Sequence, residues 1–238
     1  MECARLTRYG LLAVTGADAR DFLHAQLTND IEHLGADRAA LAGWCTAKGR
    51  LLATFLVIPA PDGFLLQVAR ELAPMVTKRL SMFILRSKVK IADESDAWAQ
   101  YGCWETRTSL TWDGGVATVP VDDRVLKLGK GLTLPASRTE DAWIVEEIRA
   151  GRPFITAATQ DKFVPQMVNL EKLGGVSFQK GCYPGQEIVA RAQHLGEVKR
   201  RMTRVPVPQG VELKPGQEFN GGVVVDSAAG EALAVMPV

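Results

Sequence analysis

Residues 41–58 read LAGWCTAKGRLLATFLVI, and this stretch decides the fold class. Two apolar runs lie on either side of the break Thr46-Ala47-Lys48-Gly49, where Gly49 supplies the backbone freedom that a tight turn needs. The pattern therefore predicts a β-hairpin, that is, two antiparallel strands that are adjacent in sequence.

The elements on both sides of this hairpin alternate between strand and helix. Residues 1–16 predict a strand that enters a turn, and Asp18 is placed to cap the helix that follows. Residues 64–68 predict another strand, residues 70–82 carry apolar side chains at helical spacing, and residues 88–92 return as a strand. This order, mixed with hairpins, favours an α+β fold with antiparallel sheets over a doubly wound parallel sheet.

The remainder of the chain repeats this theme and then changes character. Residues 97–128 predict short strands, and residues 141–150 predict a capped helix. From residue 196 onward, short apolar runs alternate with Gly and Pro turns, which is typical of a small all-β module. We expect a first α+β unit at residues 1–95, a second at 96–195 that can exchange strands with it, and the all-β module at 196–238.

The composition limits the kinds of partner. The chain has 238 residues, of which 47% are apolar and 23% charged, as in ordinary globular proteins. Lys and Arg number 28 against 27 Asp and Glu, so net charge predicts no direct binding of nucleic acid and none to a membrane. The basic cluster at residues 199–201 is interpreted as a solvated strand end or loop.

Targeting signals and the spacing of the cysteines indicate where in the cell the protein is located. The first residues show no secretory signal, and no apolar run is long enough to span a bilayer. The cysteines at positions 3, 45, 103 and 182 lack paired spacing, so they suggest neither a disulfide framework nor a zinc site, and the three histidines add no metal-ligand pattern. We expect a cytoplasmic protein without a bound metal.

Residues 180–187 read KGCYPGQE and frame Cys182 as the candidate functional residue. Gly181 and Gly185 allow a tight turn, and Gln186 can begin a helix whose N-terminal N–H groups favour an anion. A thiol at such a terminus beside Lys180 would be a better nucleophile at neutral pH. The residues alone leave a second interpretation open, in which Cys182 is a buried structural thiol and the glycines only make a turn.

The chain resembles the YgfZ family of folate-binding proteins, relatives of the glycine-cleavage aminomethyltransferase (T-protein) and of the mitochondrial iron-sulfur assembly factors. The matching blocks are Phe22-Leu23 with Gln26, Thr28-Asn29-Asp30, Lys48-Gly49-Arg50, Leu85-Arg86-Ser87-Lys88-Val89, Phe163-Val164-Pro165-Gln166-Met167 with Asn169-Leu170, and Lys180 to Glu187 with Ala190-Arg191. The resemblance implies a T-protein-like fold, in which two α+β (ferredoxin-like) units and a small, shortened C-terminal β-barrel surround a central funnel.

The resemblance also implies a cofactor, partners and site residues. The cofactor would be tetrahydrofolate or a one-carbon derivative, and the role would be to support assembly, repair or activity of iron-sulfur enzymes, including those that methylthiolate tRNA. Cys182 would be the working thiol with Lys180 beside it, and Asn29, Arg149, Gln166 and Glu187 would lie near the folate, whose pterin needs paired donors and acceptors and whose glutamate tail needs a cation. The other motif residues implied are Gly181, Tyr183, Gly185, Gln186 and Arg191.

Two other functions stay open beside this one. In the T-proteins that the chain resembles, the corresponding hairpin ends in aspartates, one of which serves aminomethyl transfer, whereas this chain has Leu51, Leu52 and Ala53 there, which counts against a folate-dependent aminomethyltransferase. A non-catalytic scaffold would bind a protein partner through Tyr183 without any chemistry at Cys182.

Overall fold

The structure is a computed structural model, and it describes residues 2–194 and 196–238. The chain divides into two compact units, each assembled from several segments. The first unit comprises Met1–Leu23, Ile31–Ala40 and Leu56–Trp143, and the second comprises His24–Asp30, Leu41–Phe55 and Ile144–Val238. The three consecutive domains expected from the sequence stay a prediction.

Helices and strands follow one another along the described residues in a mixed order. The helices are α1 (Ala19–Gln26), α2 (Ala73–Ser81), α3 (Glu140–Arg149) and α4 (Gln186–His194), with short 3-10 turns at Arg70–Leu72 and Pro165–Val168. The strands are β1 (Cys3–Arg5), β2 (Tyr9–Thr15), β3 (Ala40–Cys45), β4 (Leu51–Ala60), β5 (Gly63–Ala69), β6 (Lys90–Asp93), β7 (Trp98–Cys103), β8 (Thr111–Asp113), β9 (Val116–Val121), β10 (Arg124–Lys130), β11 (Arg200–Pro206), β12 (Glu218–Phe219), β13 (Gly222–Ala228) and β14 (Glu231–Pro237).

The hairpin that decided the fold class is present. β3 and β4 are neighbours in a five-stranded sheet of order β3-β4-β5-β2-β6, and the turn between them carries Gly49 at φ +68°. β4 contributes its first half to the second unit and its second half to the first unit. The fold prediction of an α+β protein with antiparallel sheets is confirmed.

The first unit contains a second antiparallel sheet, of order β1-β7-β10-β9-β8. In β9 every second residue is buried, as expected for a strand with one face against the core. The buried side chains Ala99, Tyr101 and Val125 pack there together with Cys3 and Cys103.

Cys3 and Cys103 form a disulfide, so the prediction that no cysteines pair is wrong. β1 and β7 are antiparallel, and their register places Cys3 directly opposite Cys103. Cross-strand neighbours come close enough for a disulfide regardless of their separation in sequence, which is 100 residues here. Cysteine spacing along the chain therefore carried no signal of this pair.

The C-terminal part of the second unit forms an antiparallel sheet of order β11-β14-β13-β12. Its core is apolar and small, with Val205, Leu213, Val224, Ala232 and Ala234 buried together. The pairings within the described residues leave this four-stranded sheet open and do not close it into a barrel. No helix among the described residues is long and apolar enough to cross a membrane.

Candidate functional site

The KGCYPGQE motif (residues 180–187) forms a turn that leads into α4 in the second unit. Cys182 is an exposed free thiol, whereas the next side chain, Tyr183, is buried. The turn closes when the Gln186 N–H donates to the Tyr183 carbonyl at 3.1 Å, and α4 begins with the Val189 N–H donating to the Gly185 carbonyl at 3.2 Å. The motif therefore has one buried side that holds it and one exposed side that carries the thiol.

Two glycines from separate motifs meet at this turn. Gly185 lies at φ +83°, and a Cβ on it would overlap the Thr46 carbonyl oxygen and lie 2.7 Å from the Gly49 Cα. A Cβ on Gly49 would in turn lie 2.9 Å from the Cβ of Ile188 in α4. The tip of the β3–β4 hairpin thus packs backbone to backbone against the cysteine turn, and a larger residue at either glycine would separate them.

Lys180 fastens the start of the motif to the end of α1. Its Nζ donates to the carbonyl of His24 and, at 2.9 Å, to that of Leu27. The last carbonyls of a helix lack partners within the helix, and a lysine ammonium satisfies them and complements the helix dipole. The same Nζ lies 4.8 Å from the centroid of the Tyr183 ring, within range of a cation–π interaction.

The buried position of Lys180 alters its protonation. Burial lowers the pKa of Lys180 to about 8, and the charges of Asp30 and Cys182 oppose this shift. The charge of Lys180 therefore interacts with that of Cys182, although its hydrogen bonds go to the end of α1. Burial also raises the pKa of the Tyr183 hydroxyl, with a smaller contribution from Cys45, so Tyr183 stays neutral at physiological pH.

Cys45 is a second free thiol of the same unit, at the end of β3. It is only 3% exposed, and burial raises the pKa of its thiol to about 12. A thiol is nucleophilic only as the thiolate, so Cys45 is inert at neutral pH where Cys182 is accessible. The two free cysteines of this unit differ in access and in chemistry.

His24 and Asp30 are neighbours of this turn that the sequence analysis did not single out. His24 Nδ1 lies 3.3 Å from Asp30 Oδ1, and its Nε2 lies 3.7 Å from the place of a Cβ on Gly181. A histidine and an aspartate six positions apart carry no motif, so only the fold reveals that they adjoin Gly181.

Asn29 is placed close to the motif but its side chain holds backbone groups. Its Nδ2 donates to the carbonyls of Leu41 and Gly174 at 2.7 and 2.8 Å, and its Oδ1 accepts from the Asp30 N–H. The adjacent Thr28 hydroxyl donates to the Gly175 carbonyl at 2.6 Å. These bonds fix the segment that Lys180 also reaches, so Asn29 shapes the site.

Gln166 is fully buried beneath α4. Its Nε2 donates to the Val189 carbonyl at 2.7 Å, and its Oε1 has no hydrogen-bond partner among the described residues. A buried acceptor without a partner is unusual and costly, so this oxygen is a place where a donor would be stabilised. Gln166 thereby lies against the helix that begins at the cysteine turn.

The first turn of α4 presents polar groups beside the thiol. Glu187 and Arg191 are exposed, and Gln186 is half-buried. Arg149, by contrast, lies against β14, where its Nε and one terminal nitrogen donate to Glu231 at 2.9 and 2.6 Å while the other donates to Glu146 at 3.0 Å. Arg149 is thus occupied by two carboxylates.

The donor side chains do not assemble a metal centre. No group of three or more His, Cys, Asp or Glu side chains within residues 2–194 and 196–238 is arranged to hold a metal ion. Leu51, Leu52 and Ala53 are buried in the core at the start of β4, so that part of the hairpin offers no carboxylate.

The fold is that of the glycine-cleavage aminomethyltransferases. The structure of the glycine cleavage system aminomethyltransferase T from Bartonella henselae matches 99% of this chain and 78% of its own length, with a TM-score of 0.72 at 14% sequence identity. At this identity the match establishes the fold alone.

Sequence comparison narrows the class to a family. The chain is 30% identical over 253 residues to the tRNA-modifying protein YgfZ of Cronobacter sakazakii, covering 90% of this chain and 76% of that protein. It is 31% identical over 252 residues to the proteins of the same name from Shigella sonnei and Escherichia coli K12, covering 90% of this chain and 77% of each. No family model matches the chain. The chain belongs to the YgfZ family of tRNA-modifying proteins.

Proposed function

We propose that this protein is a tetrahydrofolate-binding accessory factor that supports the assembly, repair or activity of iron-sulfur enzymes, among them enzymes that modify tRNA. Cys182 is the functional thiol of this protein. Its protein partners are the iron-sulfur enzymes that it supports. The family name and the aminomethyltransferase fold support this function. A cytoplasmic location stays a prediction.

One observation carries the proposal: an exposed thiol stands on a turn that is otherwise held rigidly. Lys180 anchors the turn on one side, and the contact between Gly185 and the hairpin tip anchors it on the other. Functional groups are most precise when the surrounding backbone fixes them, and a structural cysteine would instead be buried, as Cys45 is. This arrangement favours the functional interpretation of Cys182.

The residues around the Cys182 thiol have different proposed roles. The Lys180 ammonium interacts electrostatically with Cys182, and the buried Tyr183 ring lies against that ammonium. A reduced folate would supply one-carbon chemistry when bound. Of the residues expected near the folate, Glu187 is exposed, Gln166 is buried beneath α4 with its Oε1 unpartnered among the described residues, and Asn29 and Arg149 are held by protein groups.

The test replaces the two free thiols in parallel. A strain that lacks the protein is complemented with wild type, Cys182→Ala or Cys45→Ala, while folate binding is measured by calorimetry with tetrahydrofolate. We expect Cys182→Ala to bind tetrahydrofolate normally and to fail in restoring iron-sulfur enzyme activity. Rescue by Cys182→Ala would favour a scaffold instead, and failure of the wild-type protein to bind tetrahydrofolate would remove the folate from the proposal.

Aminomethyl transfer is the weaker alternative. It needs a carboxylate that handles the proton of the substrate amine, and the buried Leu51, Leu52 and Ala53 provide none at the hairpin. Formation of methylene-tetrahydrofolate from an aminomethyl donor by the purified protein would revive this alternative.

A further inference from the structure

The segment of residues 73–92 is strongly basic although the whole chain is almost neutral. It contains five Lys and Arg residues and no Asp or Glu, which leaves 23 Lys and Arg against all 27 Asp and Glu in the rest of the chain. All five basic side chains are exposed: Lys78, Arg79, Arg86, Lys88 and Lys90. Net charge concealed this local excess because it averages over the chain.

Large apolar side chains lie in the middle of these cations. Met82, Phe83 and Leu85 are 72%, 45% and 89% exposed, and they follow directly after α2. Three of the six exposed large apolar residues in the described chain thus fall within four consecutive positions. Such a concentration marks an interaction surface more often than chance exposure does.

Hydrogen bonds hold this apolar tip (Met82 to Leu85) in place. The N–H groups of Phe83 and Ile84 donate to the carbonyls of Leu80 and Ser81 at 3.0 and 3.2 Å, which continues the turns of α2. Farther along, the Lys88 N–H donates to the Asp18 carboxylate at 2.6 Å. The tip is therefore presented by a fixed backbone between two anchored ends.

We propose that this segment binds the single-stranded part of a folded RNA such as a tRNA. The cations that precede and follow the tip match phosphates, and Phe83 offers a ring on which an unpaired base stacks, with Met82 and Leu85 beside it. The inference rests on the proposed function, because RNA is chosen over other anions on account of the tRNA-linked role. It departs from our expectation from net charge that the protein binds no nucleic acid.

An RNA fits these residues better than a lipid surface does. Stable membrane attachment takes an amphipathic helix with a long apolar face or a lipid anchor, whereas the apolar part here is three side chains on one loop. Salt dependence distinguishes phosphate contacts from apolar burial, so the type of binding is measurable.

The test measures fluorescence anisotropy of a labelled, unmodified tRNA transcript between about 50 and about 200 mM KCl. With three to five phosphate contacts, we expect the logarithm of affinity to fall against that of salt with a slope of about −2 to −4. Arg86→Gln with Lys88→Gln should reduce the steepness of this slope by about 1.4. Phe83→Ala should weaken binding about tenfold and leave the slope unchanged.

Matched variants separate this proposal from its alternatives. Lys199→Gln with Arg200→Gln removes two cations elsewhere and should leave affinity unchanged, and Cys182→Ser should bind RNA as wild type does even if the thiol proposal fails. The proposal is overturned if the two double variants weaken binding equally, if wild type shows no salt-dependent binding, or if it binds phosphatidylglycerol vesicles but not tRNA. Thermal melting confirms that each variant is folded.

Discussion

Each of the two compact units contains two of the four cysteines, which are disulfide-bonded in the first unit and free in the second. The first unit buries Cys3 and Cys103 in a disulfide between β1 and β7. The second unit keeps Cys45 and Cys182 as free thiols, one buried and one exposed on the glycine turn. Three of the four cysteines are buried and one is exposed. The difference shows that the backbone around each cysteine determines whether its thiol can react.

Alkylation of the native protein gives the largest expected contrast. The raised pKa of Cys45, from 9.0 to about 12, makes its thiolate about 1000-fold scarcer than that of an ordinary cysteine at neutral pH, and its burial slows it further. We expect iodoacetamide to modify the exposed Cys182 at least about 100-fold faster than the buried Cys45, as followed by peptide mass spectrometry. Similar alkylation rates for the two thiols in the folded protein would show that Cys45 is not protected by burial.

Removal of the disulfide should have the next largest effect. A Cys3→Ala with Cys103→Ala variant is expected to lose about 3 kcal/mol of unfolding free energy in urea, because the crosslink restricts the unfolded chain across a long loop. Wild-type protein measured with and without reductant is the control. Equal midpoints in both conditions would mean that the pair is not bonded in solution.

The glycine contact is tested by two alanines at the same backbone conformation. Gly185 and Gly230 lie at φ +83° and +84°, but a Cβ would meet the hairpin only at Gly185 and open space at Gly230. Both alanines pay about 1 kcal/mol of backbone strain, and the overlap should cost Gly185→Ala about 2 kcal/mol more. Equal losses in urea unfolding would show that the turn and the hairpin are not tightly packed.

The lowered pKa of Lys180 gives the most gradual effect, a dependence of stability on pH. Between pH 8 and the ordinary value of 10.5 the unfolded chain binds more protons than the folded one, so stability rises with pH across this window. The free energy of unfolding of wild type, relative to Lys180→Met, should therefore rise by about 1 kcal/mol per pH unit there. A flat difference between the two proteins would argue that Lys180 is solvated.

Local patterns along the chain were enough to predict the elements and the cysteine turn. The β3–β4 hairpin, the turn at Gly49 and the helix after Gly185 depend on neighbouring residues, and each is where the sequence placed it. The α+β class follows from the order of these elements.

Features that join distant residues were not predictable in this way. The Cys3–Cys103 bond depends on strand register, and the bonds from Lys180 to α1 depend on how the chain folds back. The basic segment at residues 73–92 is a different case, because a count of charge in a sliding window would have found it and net charge did not.

The bond between Lys180 and the carbonyl of Leu27 spans 153 residues of chain, and this sets an order of events during synthesis. The early segments of the second unit, His24–Asp30 and Leu41–Phe55, leave the ribosome long before the residues that cover them. Contacts of such separation form slowly, and segments that wait for them are exposed to wrong pairings. The nascent chain thus carries an unfinished second unit, including the apolar start of β4, until the segment Ile144–Val238 is made.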